Sequence, residues 1–451
     1  MRLTLIHPAI GRKPGENYIR TWQMEPLAQA VLAALTPPDV EVKLYDDRLE
    51  PIPYDEPTDL VAISVETYTA RRAYQIASEY RTRGVPVVMG GFHATLCPDE
   101  VAEYAEAVVV GEAEACWPLL IDDFRHGKLG KIYRTGVRPA LSGTTPDRRI
   151  FRGKRYLPVS LVEAGRGCHF KCEFCAVQTY FGATQNRRPT DDIIAEIAAL
   201  RQQGRRFYFF VDDNITSNLK QAKEFYRALI PLKIRWVSQA SINLAHDEEF
   251  LQLLVDSGCL GVLIGFETLN PDTLKAMNKS FNQARGGYDK ALANLRRYRI
   301  RIYATFVFGY DEDTPETFRQ TVEFAREHAF FITAFNHLTP FPATPLYQRL
   351  QQENRLLYES WWLDPRYRYN MIPFTPRGMS PADLQAGCIE ARRRFYAWPG
   401  ILQRSLDLPN RTDPLIWWHF LMINAMIRNE IAQRDMYPLG DAAWHKTLVP
   451  A

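Results

Sequence analysis

The sequence predicts an α/β protein in three parts: a doubly wound parallel-sheet domain, a partial or complete (β/α) barrel, and a mostly helical C-terminal region. Two series of short apolar runs, each alternating with helical patterns, predict the first two parts. An aromatic-rich stretch of helical periodicity predicts the third. The 451 residues are 46% hydrophobic and 24% charged, which is ordinary globular usage with material for about three domains.

In the first series, apolar runs at residues 3–6, 40–45, 60–64, 85–89 and 107–110 read as buried parallel strands. The pattern at 70–83 reads as a helix closed by Gly84, which takes the left-handed conformation of a C-terminal cap without a side-chain clash. Gly90, Gly91 and Gly111 directly follow strands, where a missing side chain lets the backbone approach a ligand at the carboxyl edge of the sheet. Tight turns alone would also place glycines there.

Residues 131–157 mix Gly, Pro, Ser, Thr and Arg without periodicity and read as a linker between a first domain at 1–130 and a second at 158–350. The second series has runs at 158–164, 207–211, 235–240, 261–266, 302–308 and 331–338. Six strand–helix steps suffice for a partial or complete barrel, with its ligands at the carboxyl ends of the strands. Residues 351–451 form the helical region. Its Trp361, Trp362, Trp417 and Trp418 read mainly as filling a helical core, and Arg392-Arg393-Arg394 as a solvated helix face, with contact to an anionic substrate group as the alternative.

Lys and Arg total 55 against 52 Asp and Glu, a net charge of +3 that gives no reason to expect nucleic acid. Seven cysteines, unevenly spaced, do not form a disulfide framework and suit a reducing, cytoplasmic setting. The N-terminal run is too short for a signal peptide, and no apolar stretch is long enough for a spanning helix. Peripheral contact with membrane lipids stays open.

The chemistry concentrates at Gly165-Arg166-Gly167-Cys168-His169-Phe170-Lys171-Cys172-Glu173-Phe174-Cys175. Three thiols in a Cys-x3-Cys-x2-Cys loop, directly after the first strand of the second series, can converge on one metal centre. Three ligands on a four-iron cluster leave one iron open, which suggests reactivity. A zinc site with a distant fourth ligand is the alternative. Polar groups also emerge at the later strand ends: Asp212, Asp213 and Asn214, then Gln239 and Ser241, then Glu267. Helix caps and loop hydrogen bonds would use the same residue types. Cys97, Cys116, Cys259 and Cys388 read as small buried apolar groups, and His7 and His93 as loop or core histidines.

The cysteine loop resembles that of the radical S-adenosylmethionine superfamily. The resemblance implies that Cys168, Cys172 and Cys175 hold a [4Fe–4S] cluster whose open iron chelates S-adenosylmethionine, and that Phe174 packs on the adenine. It implies that Asp212, Asp213, Asn214, Gln239, Ser241 and Glu267 contact the rest of that cofactor, and that a 5′-deoxyadenosyl radical removes a hydrogen atom from substrate. Residues 1–130, through Gly90-Gly91-Phe92-His93 and Gly111-Glu112-Ala113-Glu114, are similar to the cobalamin-binding domain of one branch, which includes hopanoid methylases and the anaerobic tetrapyrrole cyclase. No Asp-x-His-x-x-Gly sequence is present, so cobalamin would bind without a protein histidine.

The expected activity is cobalamin-dependent methylation of an unactivated carbon in a large apolar or planar small molecule, with electrons from an external donor. A radical cyclase, oxidase or rearrangement enzyme is the first alternative, and a non-catalytic metal-stabilised binding protein the second.

Overall fold

The computed structural model describes residues 1–451, apart from the side chains of residues 284 and 285. The first sheet is built from β1 (Arg2–His7), β2 (Glu41–Asp46), β3 (Leu60–Ser64), β4 (Val87–Gly90), β5 (Ala107–Val110) and β6 (Ile132–Arg134), all parallel in the order β2-β1-β3-β4-β5-β6. The winding reverses between β1 and β3, which opens a crevice at their carboxyl ends. Alternate residues of β3 feed two separate cores: Val61 and Ile63 join one, Leu60 and Ala62 the other. A strand buried on both faces needs such a continuous apolar run. Helix α1 (Ala70–Arg81) covers one face with Ala73, Tyr74, Ile76, Ala77 and Tyr80, and Gly84 lies beyond its end at φ +74°.

The second sheet comprises β7 (Ser160–Val162), β8 (Phe207–Phe210), β9 (Arg235–Ala240), β10 (Cys259–Glu267), β11 (Arg301–Phe308) and β12 (Ile332–His337). These strands are parallel and in sequential order, with β7 and β12 as edges among the described residues. The barrel is therefore partial. Burial alternates along the strands: Ile302, Ala304, Phe306 and Phe308 of β11 are buried, whereas Tyr303, Thr305 and Val307 are half-buried. One face is thus sealed by helices and the other lines an open trough. Helix α2 (Ala176–Phe181) follows the cysteine loop.

Beyond the sheets, α3 (Pro381–Phe395) packs on the sealed face of β12, through Phe395 against Phe335, and α4 (Pro414–Arg434) follows. Trp361 and Trp362 are buried in the core of the first sheet rather than in a separate helical core. Trp417 and Trp418 depart from the expectation more clearly, being 40% and 56% exposed on α4. Adjacent positions on a helix point about 100° apart, so a pair of neighbours cannot both face one core. Residues 132–134 add strand β6 to the first sheet. Among the described residues, no helix is long and apolar enough to cross a membrane.

The carboxyl edges of the two sheets face one another. Tyr68, past β3, bonds Thr339, past β12, with oxygens 3.3 Å apart. Phe92, past β4, stacks on Tyr180 of α2 with ring centroids 4.3 Å apart. Glu112, past β5, accepts from Arg138 and Arg166, and Arg166 also pairs with Glu114 and Glu163. Any ligand at one edge is therefore within the reach of residues from the other.

Candidate active site

The cysteine loop is pinned at both ends. Before it, Gly165–Gly167 pairs antiparallel with Gln185–Arg187, and Gly167 has φ +88°, where a Cβ would lie 2.1 Å from the Thr184 carbonyl oxygen. Only glycine fits. Within the loop, the Cys175 amide donates to the Cys172 carbonyl, and the Glu173 amide donates to the Met277 carbonyl. The Glu173 carboxylate accepts from Arg349 Nε at 2.7 Å and from the Tyr310 hydroxyl at 3.2 Å. These bonds tie the loop to the second sheet's far strands.

The three thiols share one electrostatic environment. Burial pushes the Cys172 thiol up to about 12, and the neighbouring Cys168 and Cys175 add to that, while Lys279 opposes it. Burial raises the Cys175 thiol as well. Burial opposes ionisation of Cys172 and Cys175, and a cationic centre held by the loop would reverse that. An iron–sulfur cluster suits that donor set, and Asn214 Nδ2 donates to Cys168 Sγ at 3.5 Å in the manner of an outer contact to a ligating sulfur.

The polar strand ends divide into two groups. Asp213, Gln239 and Glu267 close the open trough, with the Asp213 carboxylate accepting from the Gly167 amide at 2.7 Å and its carbonyl accepting from Gln239. Asn214 Oδ1 accepts from Thr216 and from the Ser241 amide, which fixes its amide group toward Cys168. Asp212 lies on the sealed side, only 1% exposed, bonded to the Ala164 amide at 3.0 Å. Burial pushes its carboxyl up to about 7, and this residue braces the loop from behind.

Glu267 has φ +64° and pairs with Lys279. Burial disfavours the Lys279 ammonium, but Glu267, Cys172 and Cys175 together outweigh it and hold the group above its ordinary value. Gly265 makes room for the pair, since a Cβ there would lie 2.2 Å from Glu267 Oε1 and 2.7 Å from Lys279 Nζ. Phe174 is half-buried and packs against the second sheet's core.

At the opposite edge, Gly91 has φ +105° and Gly111 φ +86°, whereas Gly90 is in an ordinary strand conformation. A Cβ on Gly91 would lie 2.9 Å from the Val65 carbonyl oxygen, while one on Gly111 would meet nothing within 4 Å. The edge is thus bare backbone. Glu66, just past β3 at this edge, has an exposed side chain. His93 is buried and bonds Glu100, and burial holds His7 neutral, down to about 3, so each histidine has a packing role.

The sequence singles out Tyr310 at a strand end, where the resemblance implies contact with S-adenosylmethionine, but it gives no role to Lys279, Arg166, Glu173 or Arg349. A buried Glu267 does demand a cation, but periodicity does not say which of the chain's lysines supplies it.

Comparison with known proteins then fixes the family. A model described as the radical SAM superfamily matches residues 162–325. Bacteriochlorophyllide d C-12(1)-methyltransferase of Chlorobaculum tepidum is 30% identical over 413 residues, covering 89% of each chain. The chain belongs to the radical S-adenosylmethionine superfamily. Hopanoid C-2 methylase of Rhodopseudomonas palustris is 26% identical over 470 residues, covering 89% of this chain and 88% of that one. Among solved structures, the radical S-adenosylmethionine methyltransferase TsrM of Kitasatospora setae, with cobalamin and a [4Fe–4S] cluster bound, matches with a TM-score of 0.67 at 18% identity. That match covers 96% of this chain and 99% of TsrM. The two-sheet fold is therefore shared over nearly the full length. As a radical S-adenosylmethionine enzyme, the protein works with a [4Fe–4S] cluster and S-adenosylmethionine, and the thiol triad has the chemistry to hold the former.

Proposed function

We propose that the protein is a cobalamin-dependent methyltransferase acting on an unactivated carbon of a large apolar or planar small molecule. One observation carries this reading: the bare glycine edge of the first sheet faces the thiol-bearing edge of the second across a shared space. When bound, the cluster, S-adenosylmethionine and cobalamin supply the radical and the methyl group, drawing electrons from an external donor. The chain supplies position and seclusion.

In this reading Cys168, Cys172 and Cys175 hold the cluster. Asp213, Asn214, Gln239, Ser241 and Glu267 orient S-adenosylmethionine, Phe174 packs on its adenine, and Asp212 positions the loop from the sealed side. Gly90, Gly91 and Gly111 let the cobalamin ring approach the backbone. The functional units are residues 1–130, 158–350 and 351–451, with 131–157 joining the first two and ending the first sheet in β6. The trough wall is apolar, with Phe207 and Phe209 of β8, Val237 of β9, Leu263 of β10 and Val307 of β11 half-buried on its open face. That lining suits a planar or polycyclic substrate. The names of the relatives support it, since one acts on a bacteriochlorophyllide and another on hopanoids. The reducing cytoplasm is the compartment this chemistry needs.

The test is anaerobic reconstitution with iron, sulfide and cobalamin, followed by S-adenosylmethionine carrying a labelled methyl group and a tetrapyrrole acceptor. Label in the product and a tightly held corrinoid are the expected results. Failure to hold any corrinoid, with the cluster intact, would overturn methyl transfer in favour of another radical outcome.

A further inference from the structure

Arg392, on α3, does not share the solvated face of Arg393 and Arg394. It is half-buried, whereas they are exposed. Its Nε donates to the Phe335 carbonyl at 2.9 Å, Nη1 to Asn370 Oδ1 at 3.1 Å, and Nη2 to Asn336 Oδ1 at 3.4 Å. Phe335 belongs to β12, the edge strand, so the guanidinium caps the sheet's unpaired edge. Asn336 is the exposed residue of that strand and lies on its open face, between buried Phe335 and His337. The side chain thus wraps around the edge into the trough.

Three properties make this arginine a receptor. Its hydrogen-bond partners among the described residues are three neutral oxygens, so its charge is not cancelled by an ion pair. Those bonds use three of five N–H groups and leave one on each terminal nitrogen to donate to an anion. Its field reaches Tyr303 on the trough wall and Tyr68 at the edge of the first sheet, and the nearby His337 is held neutral by burial, down to about 4. Arg404 gives the contrast. It also bonds neutral oxygens, from Phe330, Phe395 and Asn424, but it is 1% exposed with its guanidinium 3.7 Å from the Phe395 ring, so no ligand reaches it.

We propose that Arg392 binds a carboxylate of the substrate, whose apolar body lies along the trough between this residue and the thiol loop. The inference rests on the reading of the trough as the substrate site, and it narrows the substrate class to large, apolar carboxylic acids. An uncharged polycyclic hydrocarbon would leave this guanidinium desolvated and without an anion, a penalty that an acid of the same shape avoids.

The test uses the anaerobically reconstituted holoprotein and two probes, a planar tetrapyrrole with free propionates and its fully esterified form, titrated by fluorescence quenching. Wild type should bind the acid at least tenfold more tightly than the ester, and the preference should shrink with added salt. Arg392→Gln should erase the preference while ester affinity and cluster content stay unchanged. Arg392→Lys should retain part of it, because a point charge replaces a fork. Arg393→Gln should change nothing. Equal affinity of wild type for acid and ester, or binding of neither, overturns the assignment whatever the variants do, as does a preference that survives in Arg392→Gln. Labelled methyl transfer is scored separately: incorporation without acid preference removes Arg392 and leaves the methyltransferase, whereas acid preference without incorporation does the reverse.

Discussion

The two carboxyl edges that face each other are built from the same parallel-sheet geometry and stocked in opposite ways. The edge of the second sheet gathers three thiols, a buried Glu267–Lys279 pair and the amide of Asn214. The edge of the first sheet presents Gly91 and Gly111 at positive φ, with few side chains between backbone and solvent. One edge grips through donors, and the other admits through absence. A site made of donors fails when a donor is removed, whereas a site made of space fails when an atom is added. That asymmetry orders the expected effects of substitution.

The largest effect belongs to the thiols. Cys168→Ala, Cys172→Ala or Cys175→Ala should abolish cluster binding, because two thiolates cannot hold the centre against oxygen and hydrolysis. Iron and sulfide content after anaerobic reconstitution, with the charge-transfer absorption of the cluster, reads this directly. Cys259→Ala should retain the cluster: its thiol is buried in β10 and donates to the Gly261 carbonyl. A cluster of normal yield in any of the three triad variants breaks the comparison at its base.

Next comes the Glu267–Lys279 pair, both of whose side chains are mostly buried. Glu267→Gln or Lys279→Met leaves the other charge buried without its partner, at a cost of about 3 kcal/mol. The double variant should recover part of that loss, as a double-mutant cycle by denaturant unfolding would show. S-adenosylmethionine cleavage should stay impaired in Glu267→Gln and in the double variant, since recovery of packing does not restore a carboxylate. Additive losses in the cycle would mean that the two groups act separately.

The contrast between the edges also explains which features are legible in the amino-acid sequence. The thiol loop is legible because coordination demands particular residue types at short spacing, and few other pressures put three cysteines within eight residues. The first strand series is legible because burial on both faces requires uninterrupted apolar runs, as in Leu60–Ser64. Lys279 is not, because its partner lies twelve positions away across the short helix Pro271–Ala276 and shares no periodicity with it. The basic run 392–394 leaves an anion contact open, but its sequence does not say that Arg392 alone is half-buried while the other two are exposed. The burial of Trp361 and Trp362 beside α1, far earlier in the chain, is a long-range packing choice that local pattern does not encode.

At the bare edge, Gly91→Val should lower cobalamin retention while cluster content holds, since the added atoms meet the Val65 carbonyl and the backbone must leave φ +105°. Strain of this kind costs about 1–3 kcal/mol. The readout is corrinoid absorbance after gel filtration against iron content in the same sample. Gly90→Ala, where φ is ordinary and the nearest atom to a Cβ is Val109 Cβ at 3.4 Å, should retain more corrinoid than Gly91→Val. Equal losses at the two positions would show that the positive φ of Gly91 does not set corrinoid retention.

The smallest expected effect tests whether the edges are held together or merely adjacent. Phe92 and Tyr180 stack across the gap at 4.3 Å with planes 24° apart, one contributed by each sheet's following segment. Such a pair is worth about 0.5–1.5 kcal/mol beyond the area it buries. Phe92→Leu and Tyr180→Leu should therefore each destabilise the protein modestly, and together by less than their sum, with the coupling term falling in that range. Neither change touches a thiol, so the cluster should form in both. If the coupling is near zero, the rings are neighbours without energetic contact. The charged group around Arg166, with Glu112 and Glu114 from the first edge and Glu163 from the second, then remains to fix the spacing between the edges.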